Sequence, residues 1–261
     1  MKLKAAGVSL LSLLVLLSAC AGPSKTDKFG RKKLDKREKA RLYVEMANSD
    51  LLASNPESAL KNILKAEALE SDLPELHHTK ALAFYAKDRR KDALTAAQRA
   101  VALNPAYSQA NTTLGKLLID QKKYRLARPP LLRAAKDPTY REAFKARTLL
   151  GVMYYRQNRL SDSELELGLA IKDDPARACV AHYYQGHVHL KRKAFKNAIK
   201  SYELASKDLC SNFAQAHFAL GLALDRGGDK RLAKKKYLEI QKLFPKTQIA
   251  KRAMDKLKRL P

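Results

Sequence analysis

The chain of 261 residues carries 52 lysines and arginines against 26 acidic residues, a formal net charge of +26. It has no tryptophan and ten glycines, and no segment alternates apolar with polar residues as a half-buried strand would, so a β-rich fold is excluded and the bulk reads as helix. A balance this basic ordinarily points to nucleic acid. The cations are spread along solvated helix faces with no aromatic-interleaved basic motif, however, and anionic lipid headgroups or an acidic partner surface suit them better, with electrostatic steering as the effect.

The first twenty residues are a different physical system. Lys2 and Lys4 make a charged start, and Leu10 to Leu17 is an apolar core interrupted by Ser12. That is the pattern of a secretion signal, too short for a bilayer span of about 20 apolar residues. It ends in Leu17-Ser18-Ala19-Cys20, which resembles the bacterial lipobox. The resemblance implies residues 1–19 as a lipoprotein signal peptide and a diacylated Cys20 as the mature N-terminus; the alternative is a plain secretory signal with an incidental cysteine. Two acyl chains give stable anchoring where one gives only marginal binding. Ala21 follows, in place of the aspartate that often retains such lipoproteins at the inner membrane, so the expected location is the outer membrane with the repeats facing the periplasm. Export also argues against a nucleic-acid partner, and loss of Lys2 and Lys4 leaves a charge of +24. Residues 20–39 read as a tether with eight basic against three acidic side chains, a net +5. Such a segment cannot bury a core, although from about Leu34 it can already extend a first helix.

From Ala40 the chain repeats. Six units start at Ala40, Pro74, Ser108, Phe144, Cys179 and Ala214, spaced by 34, 34, 36, 35 and 35 residues, and so cover 40–73, 74–107, 108–143, 144–178, 179–213 and 214–247. Their eighth positions are Ala47, Ala81, Gly115, Gly151, Gly186 and Gly221. The twentieth are Ala59, Ala93, Ala127, Ser163, Ala198 and Ala233, and the twenty-seventh are Ala66, Ala100, Ala134, Ala170, Ala205 and, as the exception, Ile240. Pro105, Pro175 and Pro245 close repeats 2, 4 and 6. Small residues at fixed places on a helix pair, with proline at its end, resemble the tetratricopeptide repeat. The resemblance implies an all-α fold: a right-handed superhelical solenoid of six helix hairpins forming one continuous domain, with residues 248–261 as a C-terminal capping helix.

No catalytic arrangement stands out: there is no nucleophile motif, phosphate-cradling loop or HExxH, and Gly227-Gly228 falls in the turn of repeat 6. The expectation is a binding protein without cofactor, metal or enzymatic activity. Six histidines invite a metal reading, but His77, His182 and His217 share the fourth repeat position, where a ring packs between helices. His187 and His189 point about 200° apart on one helix.

In tetratricopeptide arrays the first helix of each pair lines the concave face, at its second, fifth, ninth and twelfth positions. Those positions nominate Val44, Leu51, His78, Leu82, Tyr85, Thr112, Ile119, Val152, Tyr155, Tyr183, His187, Leu190, Phe218 and Leu222 as a partner-binding groove, with Tyr155, Tyr183 and Phe218 as anchors. The alternative is that some of them pack against the adjacent helix. Asn48, Lys116 and Arg156 do not reproduce the clustered set with which some arrays clamp a chaperone's C-terminal carboxylate. Cys179 and Cys210, at the first and thirty-second positions of repeat 5, lie at the same end of one antiparallel hairpin. In an oxidising compartment a disulfide is expected there, the alternative being two small packed thiols.

A lipobox, a short basic tether and six repeats with a terminal helix together resemble the type IV pilus pilotins, the outer-membrane pilus biogenesis and stability lipoproteins. That resemblance implies a partner-binding role: engaging the pilus secretin subunit, the ring-forming channel, and promoting its localisation or multimerisation in the outer membrane. A scaffold for cell-wall hydrolases or outer-membrane protein assembly is the second reading.

Overall fold

A computed structural model describes residues 34–260. The signal segment, Cys20 and most of the tether lie outside the described residues, as does Pro261. Thirteen α-helices and one 3-10 turn account for the described chain, which contains no strand. The first helices of the six hairpins are α1 (Lys36–Leu52), α3 (Pro74–Ala86), α5 (Ser108–Asp120), α7 (Ala143–Arg156), α9 (Cys179–Lys191) and α11 (Ala214–Arg226). The second helices are α2 (Pro56–Leu69), α4 (Arg90–Leu103), α6 (Tyr124–Lys136), α8 (Leu160–Asp173), α10 (Phe195–Leu204) and α12 (Lys230–Leu243), and α13 (Gln248–Leu257) follows. Each first helix packs on its own second helix and on the next first helix, except that α9 and α11 approach each other less closely. The architecture is a tetratricopeptide-type solenoid. None of the described helices is long and apolar enough to cross a membrane.

Local signals set the helix starts. Asp35 caps α1 in a reciprocal box: its carboxylate accepts from Glu38 N–H at 2.7 Å, and Glu38 accepts from Asp35 N–H at 2.9 Å. Helix α1 thus begins four residues before Ala40. Pro56 and Pro74 occupy first-turn positions of α2 and α3, where the missing N–H costs nothing. Pro129 and Pro130 are a departure from expectation, since both lie inside α6. Proline there leaves the carbonyl four residues back without its helical donor.

The small-residue positions are where helices touch. All six residues at position 20 and all six at position 27 are fully buried. Position 8 faces position 24 of the same hairpin. Ala81 stands opposite Ala97, whereas a Cβ on Gly151 would come within 2.5 Å of Leu167, and one on Gly186 or Gly221 within 2.5 Å of Tyr202 or Tyr237. Each of the four position-8 glycines meets a large side chain of its second helix, while the first repeat pairs Ala47 with Ile63.

The turn inside every hairpin is the same. Its fifteenth residue is left-handed each time: Ser54, Asp88, Lys122, Asn158 and Lys193 at φ 57° to 60°, and Gly228 at 93°. The next N–H reaches back five residues, from Asn55 to Asp50 O (2.8 Å) through to Asp229 to Leu224 O (3.0 Å), the 6→1 bond of a Schellman cap. Turns between hairpins are pinned differently. The buried position-4 side chain donates to a carbonyl of the incoming loop: His77 Nε2 to Ser71 O, His217 Nε2 to Ser211 O and Asn111 Nδ2 to Pro105 O, each at 2.8 Å. This is why those histidines are structural. Among the described residues no group of three or more histidine, cysteine, aspartate or glutamate side chains converges as a metal site.

Candidate functional site

The nominated groove residues fall into separate environments. Val44, Ile119, Val152 and Phe218 are buried, only 2 to 5% exposed. They are core, a correction for Phe218 above all. The physical reason is α13, which continues the row of first helices and lies over α11, with the Arg252 guanidinium 4.4 Å from the centre of the Phe218 ring. Leu222 and the small exposed edge of Phe218 line a shallow groove of about 310 Å³ with Arg252 and Lys256 at that end. Leu51 and Leu190 are half-buried against the first and last core clusters.

Tyr85 is taken up by cations: Arg90 lies 4.5 Å and Lys116 3.6 Å from its ring centre. Its hydroxyl also donates to Asp120 at 3.4 Å.

Tyr155, Tyr183 and His187 are brought together. Tyr183 and His187 rings meet edge to face at 4.4 Å, and Tyr155 stands 5.8 Å from His187. Tyr184 and Phe213 complete the patch, 5.5 Å from Tyr155 and 5.0 Å from Tyr183. Tyr202 reaches it from α10, its hydroxyl hydrogen bonded to His187 Nδ1 at 2.9 Å. Burial lowers the His187 pKa to about 4, with Lys191 adding to the effect. The imidazole is therefore neutral at physiological pH. Lys191 stands over the open side of Tyr155 at 4.5 Å. The patch thus joins α7, α9 and α10 and reaches Phe213 just ahead of α11.

A concave opening of about 670 Å³ lies nearer the N-terminal halves of α3, α5, α7 and α9. His78, Leu82 and Thr112 line it as the repeat register predicts; Gln109, Lys145 and Val180 add the second positions. His78 is held between Thr113 Oγ1 (3.0 Å, at Nε2) and the Tyr107 hydroxyl (3.3 Å, at Nδ1), and burial lowers its pKa to about 4. Tyr140 and Arg177 enter from the loops between hairpins, and Leu149 from position 6 of its repeat. Sequence reasoning missed these because it considered neither position 6 nor the loops between hairpins. Position 6 carries Thr113, Leu149 and Tyr184 in successive repeats, a pattern that would have found the wall. The chemistry is that of a cleft for side chains, apolar with a Lys116, Lys145 and Arg177 margin.

Cys179 and Cys210 form a disulfide with Cα atoms 5.5 Å apart. It joins the start of α9 to the 3-10 turn Asp208–Cys210, which follows the shortened α10 and leads to Phe213 in the patch.

Comparison with known proteins agrees with this geometry. A tetratricopeptide repeat family model matches residues 78–140 and 112–178. Comparison with curated protein sequences gives no significant match. Among solved structures, the chain is similar to pilF of Pseudomonas aeruginosa, with a TM-score of 0.70 and 17% identity over 85% of this chain and 99% of that one. It is similar also to PilW, described as a widely conserved type IV pilus biogenesis factor, with a TM-score of 0.72 and 14% identity over 82% and 98%. The Cut9-Hcn1 hetero-tetramer of APC/C gives a TM-score of 0.73 at 18% identity, covering 85% of this chain but 43% of that one. At these identities the likeness is one of fold. The described chain thus has the fold of a tetratricopeptide solenoid, with the repeat signature itself matched across residues 78–178.

Proposed function

We propose that the chain is a lipid-anchored adaptor of type IV pilus biogenesis, acting as a pilotin that binds the secretin subunit and promotes its multimerisation in the outer membrane. The observation that carries this reading is extent. Many tetratricopeptide proteins share the hairpin, but pilF and PilW are each covered over 98 to 99% of their length, so the likeness runs through the whole of those chains. The lipobox ending at Cys20 supports anchoring. The concave cleft and the Tyr155–Tyr183–His187 patch offer the contact surface for a partner segment, with no catalytic role for either.

The test is deletion of the gene in its native host, followed by immunoblotting of the secretin in separated membranes. Loss of secretin multimers from the outer membrane, restored by the wild-type gene and not by Cys20→Ala, is the expected result. Normal multimers, with capture of cell-wall hydrolases or barrel-assembly proteins instead, would overturn the reading in favour of a scaffold.

A further inference from the structure

We propose that the last hairpin and the terminal helix form a docking face for an anionic phospholipid bilayer. The charge of the chain is not spread evenly. Residues 226–259 contain thirteen basic and three acidic side chains. Among the described residues, only Lys230 and Lys236 of those thirteen are in ion pairs, with Asp225 and Glu239.

The outward stripe of α12 is Arg231, Lys234, Lys235, Leu238 and Lys242, at helical spacing along one shallow groove of about 540 Å³. The same five repeat positions in α4 hold only one charge, Lys91, and in α8 they hold Glu164 and Lys172. Helix α6 carries three cations there and α10 two beside Glu203. In α7, which follows α6, Arg147 is paired with Glu166 and Asp173, whereas α12 is followed by α13, where Lys251 and Lys258, unpaired among the described residues, flank an exposed Met254.

Two features select a bilayer. Leu238 and Leu243 are 46% and 51% exposed beside the lysines, and lysine stems with interspersed leucines suit the boundary between headgroups and acyl chains. A nucleic-acid strand would want exposed aromatic platforms. Here Tyr237 is fully buried and Phe244 packs on His217 at 5.2 Å. The proposal rests on the lipid-anchored reading for its proximity to a bilayer. An anchor at one end and a basic face at the other would lay the solenoid along the membrane.

The experiment uses the full chain carrying Cys20→Ala, so that acylation does not contribute, with vesicles of phosphatidylcholine alone or mixed with phosphatidylglycerol. The readout is the excess of binding on the anionic vesicles, because the retained signal segment partitions into both. The excess is expected to fall with salt. Each basic side chain at such a surface is worth about fivefold in partition. The combined Lys234→Glu, Lys235→Glu, Lys242→Glu and Lys251→Glu variant should therefore lose at least about a hundredfold of the excess. A matched variant reversing Lys122, Lys123, Lys193 and Lys196 should keep it, with circular dichroism showing both folded. No excess on anionic vesicles, equal loss in both variants, or tighter binding to an RNA oligonucleotide that displaces the vesicles overturns the proposal. Secretin multimerisation is not measured here, so the two readings fail separately.

Discussion

Gly186 and Tyr202 meet across the fifth hairpin so closely that a methyl group on the glycine would stand 2.5 Å from the tyrosine ring. The ring is fully buried and also held by His187, so it has little room to retreat. Gly186→Ala should destabilise the protein by about 1–3 kcal/mol through overpacking. Gly168→Ala, on α8 with nothing near its Cβ direction, should be stabilising by roughly 0.5–1 kcal/mol through helix propensity. Urea unfolding of the two variants checks this; equal shifts of the same sign would refute it.

The left-handed fifteenth position gives a second prediction. Lysine at φ 59° to 60° in Lys122 and Lys193 bears a steric cost that glycine avoids. Lys193→Gly should raise stability by up to about 1 kcal/mol despite the greater freedom of the unfolded chain. Gly228→Ala should lower it by a similar amount. Thermal melts followed by circular dichroism decide both.

Replacing Cys179 and Cys210 together by serine opens a link between residues 31 apart in sequence. The expected loss is about 2–4 kcal/mol. It should be local. Hydrogen exchange should quicken in α9 and α10 while the amides of α3 to α6 keep their protection, because a solenoid passes stability only between neighbouring repeats.

Acid should loosen the array. His78 and His187 have folded pKa values lowered to about 4, by burial first, against about 6.5 in the unfolded chain. Between those values the unfolded state binds more protons, so this contribution is intact above about pH 6.5 and is lost as pH falls towards 4. The slope is at most about 1.4 kcal/mol per pH unit for each histidine. His78→Gln with His187→Gln should therefore show a flatter fall in stability from pH 7 to pH 5 than wild type, whatever its stability at pH 7. An unchanged slope would show that other groups govern the acid response.

For the partner, Tyr155→Asp and Tyr183→Asp should weaken binding at least about tenfold. Lys200→Glu on the outer layer should change chiefly association rate and its salt dependence. Phe218→Asp belongs to a different class: at 5% exposure it should unfold the C-terminal repeats before it reports on binding. Surface plasmon resonance with the secretin, at two salt concentrations, separates the cases. Wild-type affinity in the folded tyrosine variants would remove the patch from the interface.

The frame of the fold was legible because close helix contact leaves a mark in residue size. Ala59, Ala93 and Ser163 sit at equivalent places and are buried alike. The shared turn was not legible, since Ser54, Lys122 and Asn158 have no chemistry in common and the conformation is imposed by the backbone bond that follows. The cleft was half legible. His78 and Leu82 follow from helix register, whereas Tyr140 and Arg177 reach it from loops whose path no periodicity specifies. Phe218 was misread because register says which way a side chain points and is silent on what α13 later lays over it.

The uniform turn has a consequence for the length of the protein. If the same backbone closure serves serine, lysine and glycine alike, a hairpin does not depend on its own turn sequence to fold back. Whole units such as 108–143 can then be duplicated or excised between compatible neighbours while the local geometry survives. Reach is the trait that such an array can vary most freely, and because Cys179 and Cys210 both lie within the fifth unit, its disulfide would move with it.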